Sequence, residues 1–302
     1  MGETADDVTT PPREAIDLLT ERFGTPLTAE LLSDRRGSRT WKVTAPDVRL
    51  ALKANAPGGP DAWGKATEMD QEDRHLRLLA KAGAIDATYR VDAGPWERGR
   101  WLAVRWIDGV PLWRALAPGR GPEGNRPSVR AWLLEIARTW ARRLDALHTA
   151  GWAHADVQPT NTLVEGGGAH VIDYALACGP EEAERLPYRG ALTHTTAPEV
   201  AGALLSTGDD AHIHVRPPAD VWSLGASLFW CWTGRRPVTY ADDEDRTAKL
   251  GAIAEGKVSP LADARPWPFP AFEKLITACL AADPDRRPAA AEVATLCTEA
   301  GQ

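Results

Sequence analysis

The first periodic stretch of the chain is helical. Ile16, Leu19 and Phe23 recur at a spacing that shares one helical face over residues 13–23, and Gly24 supplies the stop. Before it, residues 1–12 are polar and acidic without a pattern and are expected to be disordered. Two strand-like runs follow at Leu31-Leu32 and Trp41-Lys42-Val43, joined by residues 33–39. Residues 48–53 alternate and then turn nearly apolar, which reads as a third strand. A helix is predicted from Ala62 to Lys81, closed by Gly83. A hairpin over roughly 87–106 leads into Ile107-Asp108-Gly109. Beyond that point the pattern is mostly helical, with Pro- and Gly-rich breaks at 117–128 and 178–190, and no internal repeat is present. Strands early and helices late predict an α+β protein with segregated layers.

With 302 residues the chain is long for one core, and two lobes sharing a cleft are the expected solution. The content of 43% hydrophobic and 25% charged residues is that of an ordinary globular protein. A net charge of −7 provides no basic footprint, so neither nucleic acid nor an anionic membrane is expected as a partner. No apolar run is long enough to span a bilayer, and the amino end carries no signal-peptide stretch. Cys178, Cys231, Cys279 and Cys297 lack ribbon spacing and read as reduced, buried thiols of a cytoplasmic protein. His212 and His214, with His194 nearby, have no cysteine at ligand spacing, so zinc is not expected.

The candidate chemistry lies in the run His154-Ala155-Asp156-Val157-Gln158-Pro159-Thr160-Asn161, with Asp173 twelve residues further on. Asp156 is placed to accept a hydrogen bond from an attacking hydroxyl. Asn161 and Asp173 offer hard oxygen donors that suit magnesium held against the phosphates of ATP. The run resembles the catalytic loop of the protein kinase family, H-R-D-x-K-P-x-N, and Asp173-Tyr174-Ala175 resembles its D-F-G. Further landmarks follow in order. Leu50-Ala51-Leu52-Lys53 resembles V-A-I-K, Ala197-Pro198-Glu199 matches A-P-E, 220–225 matches D-x-W-S-x-G, and 283–288 matches D-P-x-x-R-P. On these motifs the chain is similar to bacterial Ser/Thr protein kinase catalytic domains.

The resemblance implies a bilobal fold, with a small antiparallel β-rich lobe carrying one main helix and a larger helical lobe. The expected division is an extension over 1–30, the first lobe over 31–107 and the second over 108–302. It implies that Lys53 pairs with Glu72 and holds the α- and β-phosphates of ATP, Glu68 being the other carboxylate within reach. Val104 becomes the gatekeeper, and Arg105, Ile107 and Asp108 the hinge beside adenine. Glu199 is expected to pair with Arg287, and Asp220 to cap the catalytic loop.

Four departures change the picture. The phosphate-covering loop offers only Gly37, with Arg35, Arg36 and Arg39 around it. It reads either as a polar hairpin with solvated arginines or as a loop in which arginine side chains such as Arg39 replace glycine backbone contacts. Ala155 stands where regulated kinases have the arginine that reads an activation-loop phosphate, which implies an enzyme not switched that way. Gln158 replaces a lysine at the catalytic loop, and Tyr174-Ala175 replaces Phe-Gly. The leading expectation is an ATP- and magnesium-dependent kinase with catalytic Asp156, Lys53, Glu72 and Gln158. Its acceptor is a Ser/Thr hydroxyl of a protein or peptide, a biosynthetic precursor peptide among them. A small-molecule hydroxyl kinase of the aminoglycoside or choline type, and a pseudokinase acting as a binding module, remain the alternatives.

Overall fold

Side chains on successive strand residues point to opposite faces, and Trp41, Val43, Leu50, Leu52 and Ala54 all fall on one of them. That face is the floor of a core built by residues up to Trp106, where the first of two units ends; the second runs from Ile107 to Gln302. The computed structural model describes residues 10–35, 37–55, 62–97, 99–180, 186–188 and 190–301. The expected disorder at the amino end, except at residues 10–12, and any role of Arg36 lie outside the described residues.

In the first unit, β1 (Thr28–Arg35), β2 (Ser38–Ala45), β3 (Val48–Asn55), β4 (Arg90–Trp96) and β5 (Gly99–Arg105) form an antiparallel sheet in the order β1-β2-β3-β5-β4. The segment 33–39 is not a connecting loop. Residues 33–35 and 38–39 are strand, paired as Ser33 with Thr40 and Arg35 with Ser38 across a two-residue turn. β1 carries little apolar signal because it is an edge strand, mostly exposed and held by backbone pairing. Helix α1 (Arg13–Phe23) buries Ala15 and Leu19 completely in the same cluster as Trp41, Leu52 and Trp101. It therefore belongs to the first unit's core and is not a detached extension. Helix α2 (Ala62–Lys81) lies against β3, β4 and β5 through the buried Met69, Leu76 and Leu79.

The second unit is built around α5 (Pro217–Thr233), whose residues Val221, Trp222, Leu224, Leu228, Phe229, Cys231 and Trp232 are all buried. A helix apolar on every side must be enclosed by others. Here α3 (Pro127–Thr149) and α7 (Pro270–Cys279) pack against it, and α8 (Ala290–Ala300) packs on α3. Gly225 lets α7 approach, since a Cβ at that position would meet the Cys279 Cβ at 2.6 Å. Trp232 meets Trp267 and Phe272 edge-on at 5.4 and 5.3 Å, so the tryptophans serve as large core anchors. A small sheet of β6 (Val110–Pro111), β7 (Thr162–Glu165) and β8 (Gly168–Val171) completes the layer that carries the candidate chemistry. Helices α4 (Pro198–Ser206) and α6 (Arg246–Ala254) pack together beyond it.

Because Leu19 has no exposed surface, Leu19→Ala should destabilise the first unit by about 2–4 kcal/mol, the usual cost of such a cavity. Chemical denaturation measures it. A loss well below about 1 kcal/mol would mean that α1 is a detachable appendage.

Candidate functional site

Leu52 and Ala54 face the core cluster of the first unit, so the alternation of β3 turns Lys53 to the opposite face, where α2 lies. Lys53 Nζ donates to both carboxylate oxygens of Glu72, at 2.8 and 2.9 Å. The Glu72 side chain is 5% exposed and that of Lys53 is 20%. Glu72 holds this position because Leu76 and Leu79, four and seven residues on, anchor the same helical face. Glu68 is committed elsewhere, to Lys65 at 2.6 and 2.9 Å.

Gly37 occupies the β1–β2 turn at φ 75°, a left-handed conformation that glycine adopts without strain. Arg39 differs from the expectation of a solvated hairpin charge. It is 4% exposed, and its Nε donates to Asp34 across the hairpin at 3.2 Å. Burial and that ion pair set it apart from a solvated charge. Val104 is buried at the end of β5. The Arg105 side chain turns to the surface, to Thr88 at 2.8 Å and Asp86 at 3.3 Å. Ile107, half-buried, and Asp108, exposed, open the second unit.

In that unit the run 154–161 is shaped from beneath by Asp220, in the first turn of α5 and 1% exposed. Its Oδ2 accepts the His154 N–H at 2.7 Å and its Oδ1 the Ala155 N–H at 2.9 Å. His148 Nε2 lies 3.0 Å from the same carboxylate. This third partner escaped the sequence reading. Its only signal is a place on the buried stripe of α3, four residues after Leu144. Ala155 is thereby held at φ 62°. His154 Nδ1 accepts the Asp156 N–H at 3.2 Å, and full burial lowers the pKa of the imidazole. The ring is neutral and packs at 5.0 Å from Tyr174.

The Asp156 carboxylate accepts Gln158 Nε2 at 2.5 Å on one oxygen and Asn161 Nδ2 at 2.6 Å on the other. Thr160 Oγ1 in turn donates to Gln158 Oε1 at 2.9 Å, orienting the amide. Asn161 and Asp173 flank the β7–β8 hairpin. Thr162 pairs with Val171, and the Ile172 N–H donates to the Asn161 carbonyl at 3.0 Å. The structure thus brings Asp156, Gln158 and Asn161 into contact and sets Asp173 two residues past the ladder, at φ 69°. Burial first, and then the like charge of Asp173, push Asp156 up to about 8 against the hydrogen bonds it receives. Such a carboxyl sits near neutrality, where a general base works best.

The segment after Asp173 returns to this loop. Tyr188 OH donates to the Ala155 carbonyl at 2.9 Å, and Ser223 Oγ holds the Thr195 carbonyl at 2.8 Å. Arg287 grips Glu199 in a two-pronged pair, both contacts at 2.7 Å, and also donates to the Pro218 carbonyl at 2.8 Å. His194 leaves the other histidines for Tyr240, with which it shares a hydrogen bond. His212 and His214 instead lie beside Cys178.

The protein kinase domain model matches residues 123–296. The chain is 29% identical over 221 residues to the probable serine/threonine-protein kinase PkwA of Thermomonospora curvata, covering 73% of this chain and 27% of that one. It is 28% identical over 229 residues to the serine/threonine-protein kinase PknE of Mycobacterium bovis, covering 74% and 37%. With the serine/threonine-protein kinase AfsK of Streptomyces griseus it shares 32% identity over 170 residues, covering 54% and 19%. The chain spans less than two-fifths of the length of each of these three relatives.

The raised Asp156 pKa also affects stability. Between pH 3.8 and about 8 the native protein keeps a proton that the unfolded chain has released. This group's contribution is greatest below that window and is lost as pH rises through it. Asp156→Asn should remove that slope and raise the melting temperature at about pH 8, measured without divalent metal from about pH 5 to about 9. Parallel wild-type and variant curves would contradict the assignment.

Proposed function

Because the chain belongs to the protein kinase family, we propose that it transfers the γ-phosphoryl group of ATP, with magnesium, to a Ser or Thr hydroxyl of a protein or peptide. The observation that carries this reading is the Asp156 carboxylate, clamped by Gln158 and Asn161 beside the hairpin that ends in Asp173. Its two oxygens offer more lone pairs than the two hydrogen bonds use, so one remains to accept the acceptor's hydroxyl proton. As the acceptor's hydroxyl oxygen bonds to the γ-phosphorus, the bond from that phosphorus to the β-phosphate oxygen breaks and ADP leaves; the hydroxyl proton passes to Asp156. Lys53, charged and held by Glu72, takes the α- and β-phosphates, and the backbone of 105–107 takes the adenine.

Asn161 and Asp173 present oxygen donors of the kind magnesium prefers, and they fit that ion better than a softer metal. When bound, it neutralises phosphate charge. Gln158 fills the place of a cation near the transferred group, yet its amide is engaged with Asp156, so its part is to position the base. The support given to α4 by the Glu199–Arg287 pair favours an extended peptide acceptor over a small molecule. Tyr188 anchors the returning segment to Ala155 with no phosphate involved, so activity is expected to survive phosphatase treatment. Buried thiols accord with a reducing, cytoplasmic setting, and among the described residues no helix is long and apolar enough to cross a membrane.

Mass spectrometry of Ser/Thr peptide libraries incubated with magnesium and ATP tests the reaction. Asp173→Ala should abolish magnesium-dependent nucleotide binding together with transfer. Asp156→Asn should keep nucleotide binding and slow transfer by roughly 10²–10⁴, the usual worth of a positioned base. Normal turnover by Asp156→Asn would reject the base. An aminoglycoside phosphorylated where every peptide fails would move the acceptor to the small-molecule class.

A further inference from the structure

Cys178, His212 and His214 are far apart in sequence, yet Sγ and one nitrogen of each imidazole lie within 4.8 Å of one another. The expectation against zinc rested on spacing alone, and tertiary folding supplies the cysteine that spacing could not reveal. His212 is the informative member. Its Nδ1 lies 2.9 Å from the Leu186 carbonyl, which can only accept, so Nδ1 carries the ring proton. Nε2 is left with its lone pair, buried and without a hydrogen-bond partner. A polar nitrogen left so is costly unless something binds it. An imidazole that donates one N–H to a carbonyl, keeps the other nitrogen buried and unbonded, and stands beside a thiol and a second imidazole has the arrangement expected of a metal ligand and its outer partner.

We propose that Cys178, His212 and His214 form a zinc site. A thiolate with two imidazoles suits zinc and excludes magnesium, which takes oxygen. Ligand atoms around tetrahedral zinc stand roughly 3.3–3.7 Å apart. The exposed His214 side chain closes the remaining gap by rotation. Three protein ligands leave a fourth position for water. As the metal binds, the Sγ–Zn bond forms and the thiol proton passes to buffer, with no change of oxidation state.

The site sits where a clamp is useful. Cys178 exchanges two backbone hydrogen bonds with Ala153, at 2.8 and 2.9 Å, two residues before the Ala155 that Asp220 holds. His212 and His214 lie on the connection from α4 to α5. Zinc would tie the start of the segment after Asp173 to that connection, and the hydrogen bond from His212 would carry the tie to Leu186. This is a fastening that needs no phosphate, in a chain with Ala155 where a phosphate-reading arginine is usual. The metal site stands on its own geometry and does not depend on the phosphotransfer reading.

The test is cobalt titration of the full chain after chelator treatment, without nucleotide or peptide. One equivalent should bind, with a thiolate-to-cobalt charge-transfer band and tetrahedral visible bands, and zinc should displace it. Added zinc should also raise the melting temperature of the wild type. Cys178→Ser should lose the thiolate band. His214→Ala, at an exposed position with no core to disturb, should bind at least about 100-fold more weakly, beyond the loss of an outer partner. Cys297→Ser, which removes a buried thiol of α8, should bind as the wild type does. Absence of the band in the wild type, its persistence in Cys178→Ser, or unchanged affinity in His214→Ala would each overturn the site. A chain that binds cobalt this way but phosphorylates nothing would leave the metal site standing and reject only the kinase reading.

Discussion

A single buried carboxylate shapes the second unit's chemistry. Asp220 is 1% exposed and accepts the His154 and Ala155 N–H groups and the His148 ring. Such a charge is tolerated in a low dielectric only when its oxygens are fully engaged, and these donors engage them. Its place in the first turn of α5 adds the favourable end of the helix dipole. In return, the carboxylate holds Ala155 at φ 62°, a left-handed conformation that costs a non-glycine residue about 1–2 kcal/mol. The strained turn carries the chain directly into Asp156.

From that turn the constraints spread through short contacts. His154 closes on the Asp156 N–H, while Tyr188 seals the Ala155 carbonyl from the other side. Gln158 and Asn161 then fix both carboxylate oxygens, so Asp156 is oriented by the folded chain itself. The arrangement costs stability, because burying Asp156 near Asp173 makes its ionisation unfavourable at neutral pH. A site tuned for folding alone would have placed an amide there. Under the proposed function, preorganisation of a base near neutrality is a reason to keep the acid.

Legibility in the sequence followed contiguity. Asp156, Gln158 and Asn161 lie within six residues, so their meeting depends on one loop, and Asp173 needs only one hairpin more. Lys53 and Glu72 are separated by nineteen residues, but strand alternation and helical spacing fix both directions. Other features depended on partners that periodicity does not name. Helix α1 read as a helix, yet its place in the first core was hidden because Ala15 and Leu19 meet Trp41 and Trp101 only through the sheet. β1 was shortened because an edge strand is specified by backbone pairing more than by side chains. Arg39 read as a loop charge because its counter-charge, Asp34, becomes its cross-strand neighbour only once the turn tightens to two residues. The neighbourhood of Cys178 and His212 had no local signature at all.

The central claim is that Asp220 holds the loop that presents Asp156. Hydrogen exchange at the His154 and Ala155 amides tests it most directly, by comparing the wild type with Asp220→Asn. An asparagine keeps one acceptor oxygen and replaces the other by a donor, so the two amides can no longer both be satisfied. The account predicts that in the wild type both exchange only with global unfolding of the second unit. In the variant at least one should exchange orders of magnitude faster, while the amides of α5 stay protected. Equal protection of both amides in the two proteins would contradict it.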